Sequence, residues 1–312
     1  MDLQLTVSAG TAAPTLRSAL LRGMGFLRHA GIDSAQIDAE VLLRHVLGIE
    51  KAQLYSTLDE PLSAGHRRRF QETLERRMRH EPVAYITGRK EFCSLDFVVT
   101  PEVLIPRPET ELLVEIALHR LKSSESKTPR ILDLGTGSGI IAVCLAKERL
   151  EANILAVDIA SPALEVARIN ARRHGVSERI DLIHGDFFAA LGAKKPLFDL
   201  IVANPPYIRT GELPLLAPEI SQWEPLTALD GGPDGMEYYR RIIGEAQDYL
   251  APGSSIVLEI GADMAPVVTE LFERSGGYGP AFLYQDYAGK DRVIATIKLP
   301  DSNPAPKGAK RG

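Results

Sequence analysis

The chain has 312 residues, 45% of them hydrophobic and 25% charged, and a formal net charge of −5. That length calls for two domains, the composition is ordinary for a soluble globular protein, and the acidic balance disfavours direct nucleic-acid binding. Cys93 and Cys144 lie far apart in sequence without metal-ligand spacing, and the seven histidines form no His-x3-His pair, so a reducing cytoplasm, no disulfide framework and no metal site are expected.

Residues 1–14 are small and polar and read as loose chain. They lack the basic-then-apolar pattern of a secretory signal, and Asp2 with the Ala/Thr/Ser-rich start fits a mitochondrial presequence poorly. Leu16, Leu20, Leu21, Met24 and Leu27 fall at helical spacing and predict a helix over 16–29. Ile37, Val41, Leu42 and Val46 predict a second over 35–47, capped by Asp33-Ser34. Further helices are expected over 51–56 and 63–79, so residues 1–80 read as a small all-helical domain whose apolar stripes form its own core. Between residues 65 and 81, six arginines stand against three acids. This helix suits either a patch for RNA or an acidic partner, or a solvated face of Arg–Glu pairs. The interleaved glutamates favour the second.

Residues 84–92 and 95–99 alternate apolar and polar side chains and predict a β-hairpin inside a connector spanning 81–107. From 108 to 300, helices and strands alternate, the pattern of a doubly wound sheet. Late strands are expected over 255–260 and 292–297. No apolar run approaches membrane-spanning length. The tail 301–312 has the composition of disordered chain.

The strand ends carry the chemistry. Strand 131–134 runs into Gly135-Thr136-Gly137-Ser138-Gly139, and a helix follows over 140–147. The glycines of this turn permit close approach of a ligand to the helix N-terminus, and Gly135, Thr136, Gly137 and Gly139 are its candidate contacts. Asp133 discriminates between ligands. A carboxylate just ahead of the turn repels a dinucleotide pyrophosphate and welcomes an ammonium or a sulfonium. S-adenosylmethionine carries both and has no phosphate. The next strand, 153–157, ends in Asp158, placed to accept from both ribose hydroxyls. An acid ahead of Ser161-Pro162 suits a helix N-cap equally well. After strand 180–184 come Gly185-Asp186-Phe187. Asp186 is a candidate acceptor for the adenine N6 amine, with Phe187 or Phe188 beside the ring, or else a plain loop carboxylate.

A fourth strand, 198–203, ends in Asn204-Pro205-Pro206-Tyr207. Two prolines halt the strand ladder and fix the backbone. Asn204 then offers a side-chain carbonyl and Pro205 a backbone carbonyl with no N–H. Two acceptors beside an aromatic ring suit a planar group bearing an NH2, either a side-chain amide or the exocyclic amine of a base. Such a motif can be only a turn. Its place after three strand ends that build a nucleoside site favours a ligand, with Asn204 bordering cofactor and acceptor alike.

Over roughly residues 15–298 these features resemble the HemK/PrmC-type N5-glutamine methyltransferases, which act on peptide chain release factors. The motifs include Pro82-Val83-Ala84-Tyr85-Ile86-Thr87-Gly88 with Glu91-Phe92, Ile105-Pro106-Arg107-Pro108-Glu109-Thr110-Glu111, and the Asp133 to Gly139 turn. They also include Asn204 to Tyr207, Glu224-Pro225, Gly231-Gly232, Asp234-Gly235 and Gly289-Lys290-Asp291-Arg292. The Asn-Pro-Pro-Tyr motif is shared with adenine-N6 and other amino methyltransferases; the Ile-Pro-Arg and Gly-Gly-x-Asp-Gly segments are more specific. The resemblance implies a class I S-adenosylmethionine-dependent methyltransferase sheet behind a helical substrate-recognition domain and a hairpin connector, ending in an antiparallel hairpin that the two late strands would supply. It implies methyl transfer to the glutamine of a Gly-Gly-Gln motif, in modulation of translation termination, by a monomer.

In that chemistry Asn204 and Pro205 accept the two N–H groups of the target and Pro206 and Tyr207 pack beside it, with no general base needed. Arg107 and Glu109 have two readings, as groups over the cofactor or acceptor and as pins for the connector. Two alternatives keep the chemistry and change the acceptor, to a ribosomal-protein glutamine or a nucleic-acid amine. A third is a non-catalytic binding protein, against which the intact acceptor motif stands.

Overall fold

Thr15 holds an extended backbone and its hydroxyl accepts the amide of Ser18 at 3.2 Å, which starts α1 (Leu16–His29). The computed structural model describes residues 13–122 and 126–300; the expected loose start before residue 13 and the tail 301–312 lie outside them. Leu16, Leu20 and Leu27 of α1 pack with Leu42, Leu43 and Val46 of α2 (Ala35–Leu47), with Leu54 of α3 (Lys51–Ser56), and with Phe70 and Leu74 of α4 (Ala64–Met78). Ser63 caps α4 through the amide of His66 at 3.2 Å.

Two expectations are corrected here. Ser34 occupies the N-cap of α2 but does not cap it; its ψ of 13° departs from the extended geometry of a capping residue, and its hydroxyl donates to Asp38 at 2.7 Å. Residues 83–87 are not a hairpin arm but α5 (Val83–Thr87), bracketed by Pro82 and by Gly88 at φ +71°. Proline at a helix start and glycine just past its end outweigh a short alternating pattern.

The hairpin itself is β1 (Arg89–Phe92) and β2 (Leu95–Val98). Cys93 and Ser94 both take positive φ in its two-residue turn, the geometry that matches strand twist. There follow α6 (Thr110–Lys122), β3 (Arg130–Leu134), α7 (Ile140–Glu148), β4 (Asn153–Asp158), α8 (Ser161–Arg173) and β5 (Ile180–His184). The chain continues through β6 (Phe198–Ala203), α9 (Pro218–Ser221), α10 (Glu237–Ala246), β7 (Leu250–Glu259), α11 (Ala265–Ser275), β8 (Phe282–Gln285) and β9 (Asp291–Ile297).

Among the described residues the chain divides into two units, one running up to Arg89 and including Ala217–Trp223, the other of Lys90–Leu216 and the residues from Glu224. Within the first, Arg77 is only 5% exposed and donates to Asp38 at 2.7 Å and to Glu219 of α9 at 2.9 Å, while Arg76 pairs with Glu81. Part of the basic run thus holds helices together. Among the described residues, no helix is long and apolar enough to cross a membrane.

The second unit is a seven-stranded sheet in the order β5-β4-β3-β6-β7-β9-β8. Five neighbours, from β5 to β7, run parallel. The expected terminal hairpin is corrected in its members: β7 is an interior strand, and the edge hairpin is β9 with β8, a short strand with partly exposed faces that the sequence pattern misses. Side chains alternate across the sheet. Ile131, Leu200 and Val257 face a core shared with α6, α7 and the hairpin residues Phe92 and Phe97; Leu132, Ile201 and Leu258 face α10 and α11.

Asn170 of α8 is completely buried and joins two parts of this unit. Its amide donates to the carbonyls of Val98 (3.0 Å) and Ser138 (2.8 Å) and accepts from the Val98 amide (2.8 Å), tying the hairpin to the glycine turn. Asn170→Ala leaves three backbone groups unpaired, one buried and two partly buried, and is expected to cost about 3 kcal/mol, a buried unpaired group being worth roughly 1–3 kcal/mol. Urea denaturation of the variant measures this.

Candidate active site

The sheet order sets the location. From β3 the chain steps outward to β4 and β5, then returns to place β6 on the other side of β3. The carboxyl ends of β3 and β6 therefore flank the switch point of the sheet, where open α/β folds bind ligands. Leu134 stands opposite Ala203, so Gly135 and Asn204 emerge side by side.

A cavity of about 150 Å³ opens there. Of the expected residues, Gly135, Gly137, Asp158, Asp186, Phe187, Asn204 and Pro206 line it. Gly137 has φ +55°, and a Cβ placed on it would meet nothing within 4 Å, so glycine keeps the turn tight and the cavity wall open. Asp158 accepts the amides of Gly137 at 2.7 Å and Ala160 at 2.9 Å, one on each oxygen. It is not the N-cap of α8, a place held by Ala160. A carboxylate has about four acceptor positions, so capacity remains for a ribose. Burial pushes its pKa up, against the pull of those amides.

Other expected residues lie elsewhere. Gly139 has φ +78° and backs onto Ala167 of α8, where a Cβ would come within 3.0 Å; it serves helix packing. Thr136 is buried and donates to Asp133 at 2.7 Å. Asp133 is completely buried, with its second oxygen unpaired. Burial raises its pKa to about 7, with the Thr136 hydroxyl opposing and the Asp158 charge reinforcing. A buried, partnerless carboxylate oxygen behind a glycine turn is a fitting receptor for a cationic group. Phe187 lines the cavity, whereas Phe188 stacks on Tyr249 in the core at 4.7 Å.

The Asn-Pro-Pro-Tyr segment is held from behind. A Cβ on Gly231 would lie 2.7 Å from Tyr207 Cα, and one on Gly235 2.5 Å from the Tyr207 carbonyl oxygen. Two glycines thus let a second chain segment press directly on the Tyr207 backbone. Pro205 is buried, and the Tyr207 ring packs on the α10 side of the core outside the cavity lining. Its hydroxyl is pushed up by burial and by the Glu259 charge. Asn204 donates through Nδ2 to Thr110 at 3.3 Å.

Arg107 pairs with buried Glu224, which also accepts the amide of Ile105 at 3.2 Å. Arg107 therefore pins its own segment, and Glu102 to Leu104, just before it, line the cavity. Glu109 is exposed and lines a separate hollow with Cys93 and Cys144, whose thiols are hydrogen-bonded although distant in sequence. Sequence reasoning missed Tyr238 and Arg241 of α10. Both line the cavity; Arg241 donates to Asp186 at 2.7 Å and lies over the Phe187 ring at 5.3 Å, and Tyr238 meets that ring edge-on at 5.5 Å. Their i, i+3 spacing on one face of a helix was the available signal. One Asp186 oxygen is thus engaged, and the other is left for a ligand.

Residues 18–88 match the family described as PrmC N-terminal domain, and residues 109–217 the family described as methyltransferase small domain. The chain is 42% identical over 280 residues to a release factor glutamine methyltransferase of Geobacter sulfurreducens, covering 90% of this chain and 95% of that protein. It is 44% identical over 284 residues to one of Moorella thermoacetica, covering 91% and 99%. The hMettl16 catalytic domain is similar in fold alone, with a TM-score of 0.52 and 16% identity over 65% of this chain and 77% of that one. The methyltransferase domain makes S-adenosylmethionine the methyl donor. Matched in both units and aligned along almost the full length of these relatives, the chain belongs to the release factor glutamine methyltransferase family.

Proposed function

We propose that the protein methylates the side-chain amide nitrogen (N5) of the glutamine in the Gly-Gly-Gln motif of peptide chain release factors, and so modulates translation termination. The observation that carries this is the acceptor pair at the end of β6, beside the cavity at the switch point, in a chain aligned with glutamine methyltransferases over nearly all of their length. In this reading the helical unit recognises the release factor beyond its glutamine, and the enzyme works in the cytoplasm as a monomer.

An amide nitrogen is a poor nucleophile, because its lone pair is delocalised into the carbonyl. S-adenosylmethionine supplies a strongly electrophilic sulfonium methyl. The task left to the protein is positioning. Asn204 Oδ1 and the Pro205 carbonyl each accept one N–H of the glutamine amide, which aims the remaining lone pair outward from the loop. Pro206, which lines the cavity, confines the amide plane, while the Tyr207 ring, packed in the core, braces the loop from behind. As positive charge grows on the nitrogen, both acceptors bind it more strongly than in the ground state, which accelerates the step. The alkylated nitrogen is acidic enough to lose its proton without a dedicated base. On the donor side Asp133 faces the ammonium, Asp158 the ribose, and Asp186 with Phe187 the adenine; Gly135, Thr136, Gly137 and Gly139 shape the turn between them.

Mass spectrometry of a purified release factor, incubated with the enzyme and S-adenosylmethionine, tests the assignment. One added methyl is expected on the Gly-Gly-Gln glutamine and none when that glutamine is alanine. Methyl appearing instead on a ribosomal protein or a nucleic-acid amine would move the acceptor. Asn204→Ala is expected to lower kcat by about 10²-fold or more, with S-adenosylmethionine affinity nearly unchanged; near-normal turnover would remove the acceptor role.

The Asp133 carboxyl, raised to about 7, adds a pH dependence. Below that pH it is protonated, and a cation must displace the proton to bind. S-adenosylmethionine affinity is therefore expected to fall with acidification from pH 7, by up to about tenfold per pH unit. Calorimetric titration from pH 5.5 to 7 should show this slope in the parent enzyme and a flat, weaker profile in Asp133→Asn.

A further inference from the structure

Asn204 can serve as an acceptor only if its amide faces the right way. The Oδ1 and Nδ2 ends of an asparagine are nearly the same shape, so hydrogen bonds must choose between them. Here the choice is made by a side chain from outside the acceptor loop. Thr110, the first residue of α6, is 1% exposed and receives the Asn204 Nδ2 donor at 3.3 Å. Behind it stands Glu259, also 1% exposed, hydrogen-bonded to the Thr110 hydroxyl. The placement follows from the sheet. Leu258 of β7 is paired with Ala203 of β6, so Glu259 and Asn204 are neighbours at adjoining strand ends. The start of α6 overlies both.

We propose that Thr110 is a positioning residue for methyl transfer, its hydroxyl relaying the acceptor character of Glu259 to orient the Asn204 amide. This rests on the acceptor role proposed for Asn204. An ionised carboxylate can only accept. With Glu259 ionised, the Thr110 hydroxyl donates to it, and the hydroxyl oxygen has only lone pairs to offer Asn204. Nδ2 is held to Thr110 and Oδ1 is left for the incoming amide. The reversed amide would set Oδ1 against the Thr110 lone pairs and aim an N–H at the N–H groups of the substrate. Glu259 itself is fixed in place. Tyr239 donates to its backbone carbonyl at 2.8 Å, and Arg292 on β9 adds a favourable charge. Its second oxygen is buried without a partner, so the carboxyl stands in an environment it would not choose on stability grounds.

The test compares Thr110→Val, which keeps shape and removes the hydroxyl, with Thr110→Ser, which keeps the hydroxyl. Thr110→Val is expected to lower kcat at least tenfold, with the S-adenosylmethionine Kd changed less than twofold and the melting temperature near that of the parent. Thr110→Ser is expected to retain at least a third of parental kcat. Parental kcat in Thr110→Val, or equal losses in both variants, would overturn the proposal. Should Thr110→Val fail to fold, Thr110→Ala against Thr110→Ser gives the same comparison. Glu259→Gln supplies a second readout. Acting through the same hydroxyl, it should slow the parent but slow Thr110→Val no further; losses that multiply would overturn the relay. Failure of the underlying reading would look different. It would show as Asn204→Ala at near-normal turnover, whereas failure of the relay leaves Asn204→Ala inactive and Thr110→Val active.

Discussion

The parallel pairing of β3 with β6 is the constraint from which the rest of the site follows. It interrupts the outward progression of strands and leaves two loops emerging next to each other, the glycine turn after β3 and the Asn-Pro-Pro-Tyr segment after β6. Residues 133 and 204 are far apart along the chain, and only this pairing gives them a shared purpose. A register slip of one residue would turn Asp133 to the opposite face of the sheet and break the site. The apolar residues on both faces of the sheet, alternating between two helical layers, make that slip costly.

Two carboxyl groups are placed where solvation is poor, and each is raised to about 7 by burial. Neither is neutralised by a fully bonded ion pair, and each has an oxygen without a partner. In the stability of the unit alone these are unfavourable choices. They become intelligible through their places and the roles proposed for them: Asp133 behind the glycine turn in one case, Glu259 against the Thr110 hydroxyl that meets Asn204 in the other. Both lie at the carboxyl ends of strands next to the switch point, each with incomplete bonding.

Much of this was legible in the sequence. Strand ends carrying Asp133, Asp158, Asp186 and Asn204 are local patterns, a strand followed by a residue type that stops it, and such patterns survive reading one position at a time. The edge strand β8 was not legible, because four residues with both faces partly exposed carry no periodic signal. The helix at 83–87 was hidden by its own brevity. Asn170, Thr110, Glu259, Tyr238 and Arg241 were missed for a common reason. Each acts through a partner tens of residues away, and nothing in its immediate neighbours distinguishes it from a helix or strand residue of ordinary kind. Glu224 sat in a segment noted for its resemblance, but its work, holding Ile105 and Arg107, appears only in three dimensions.

Asp158 shows how such economy shapes the energetics of the site. The carboxylate that lines the cavity is the same one that accepts the Gly137 amide and so stiffens the glycine turn. Ligand recognition and loop geometry are therefore not separable quantities at this residue. Neutralising it would loosen the turn and, on the role proposed for it, remove a ribose contact in one stroke, so the two losses would not add. On the ribose role proposed for Asp158, the cofactor and the backbone that receives it would be joined through one shared anion.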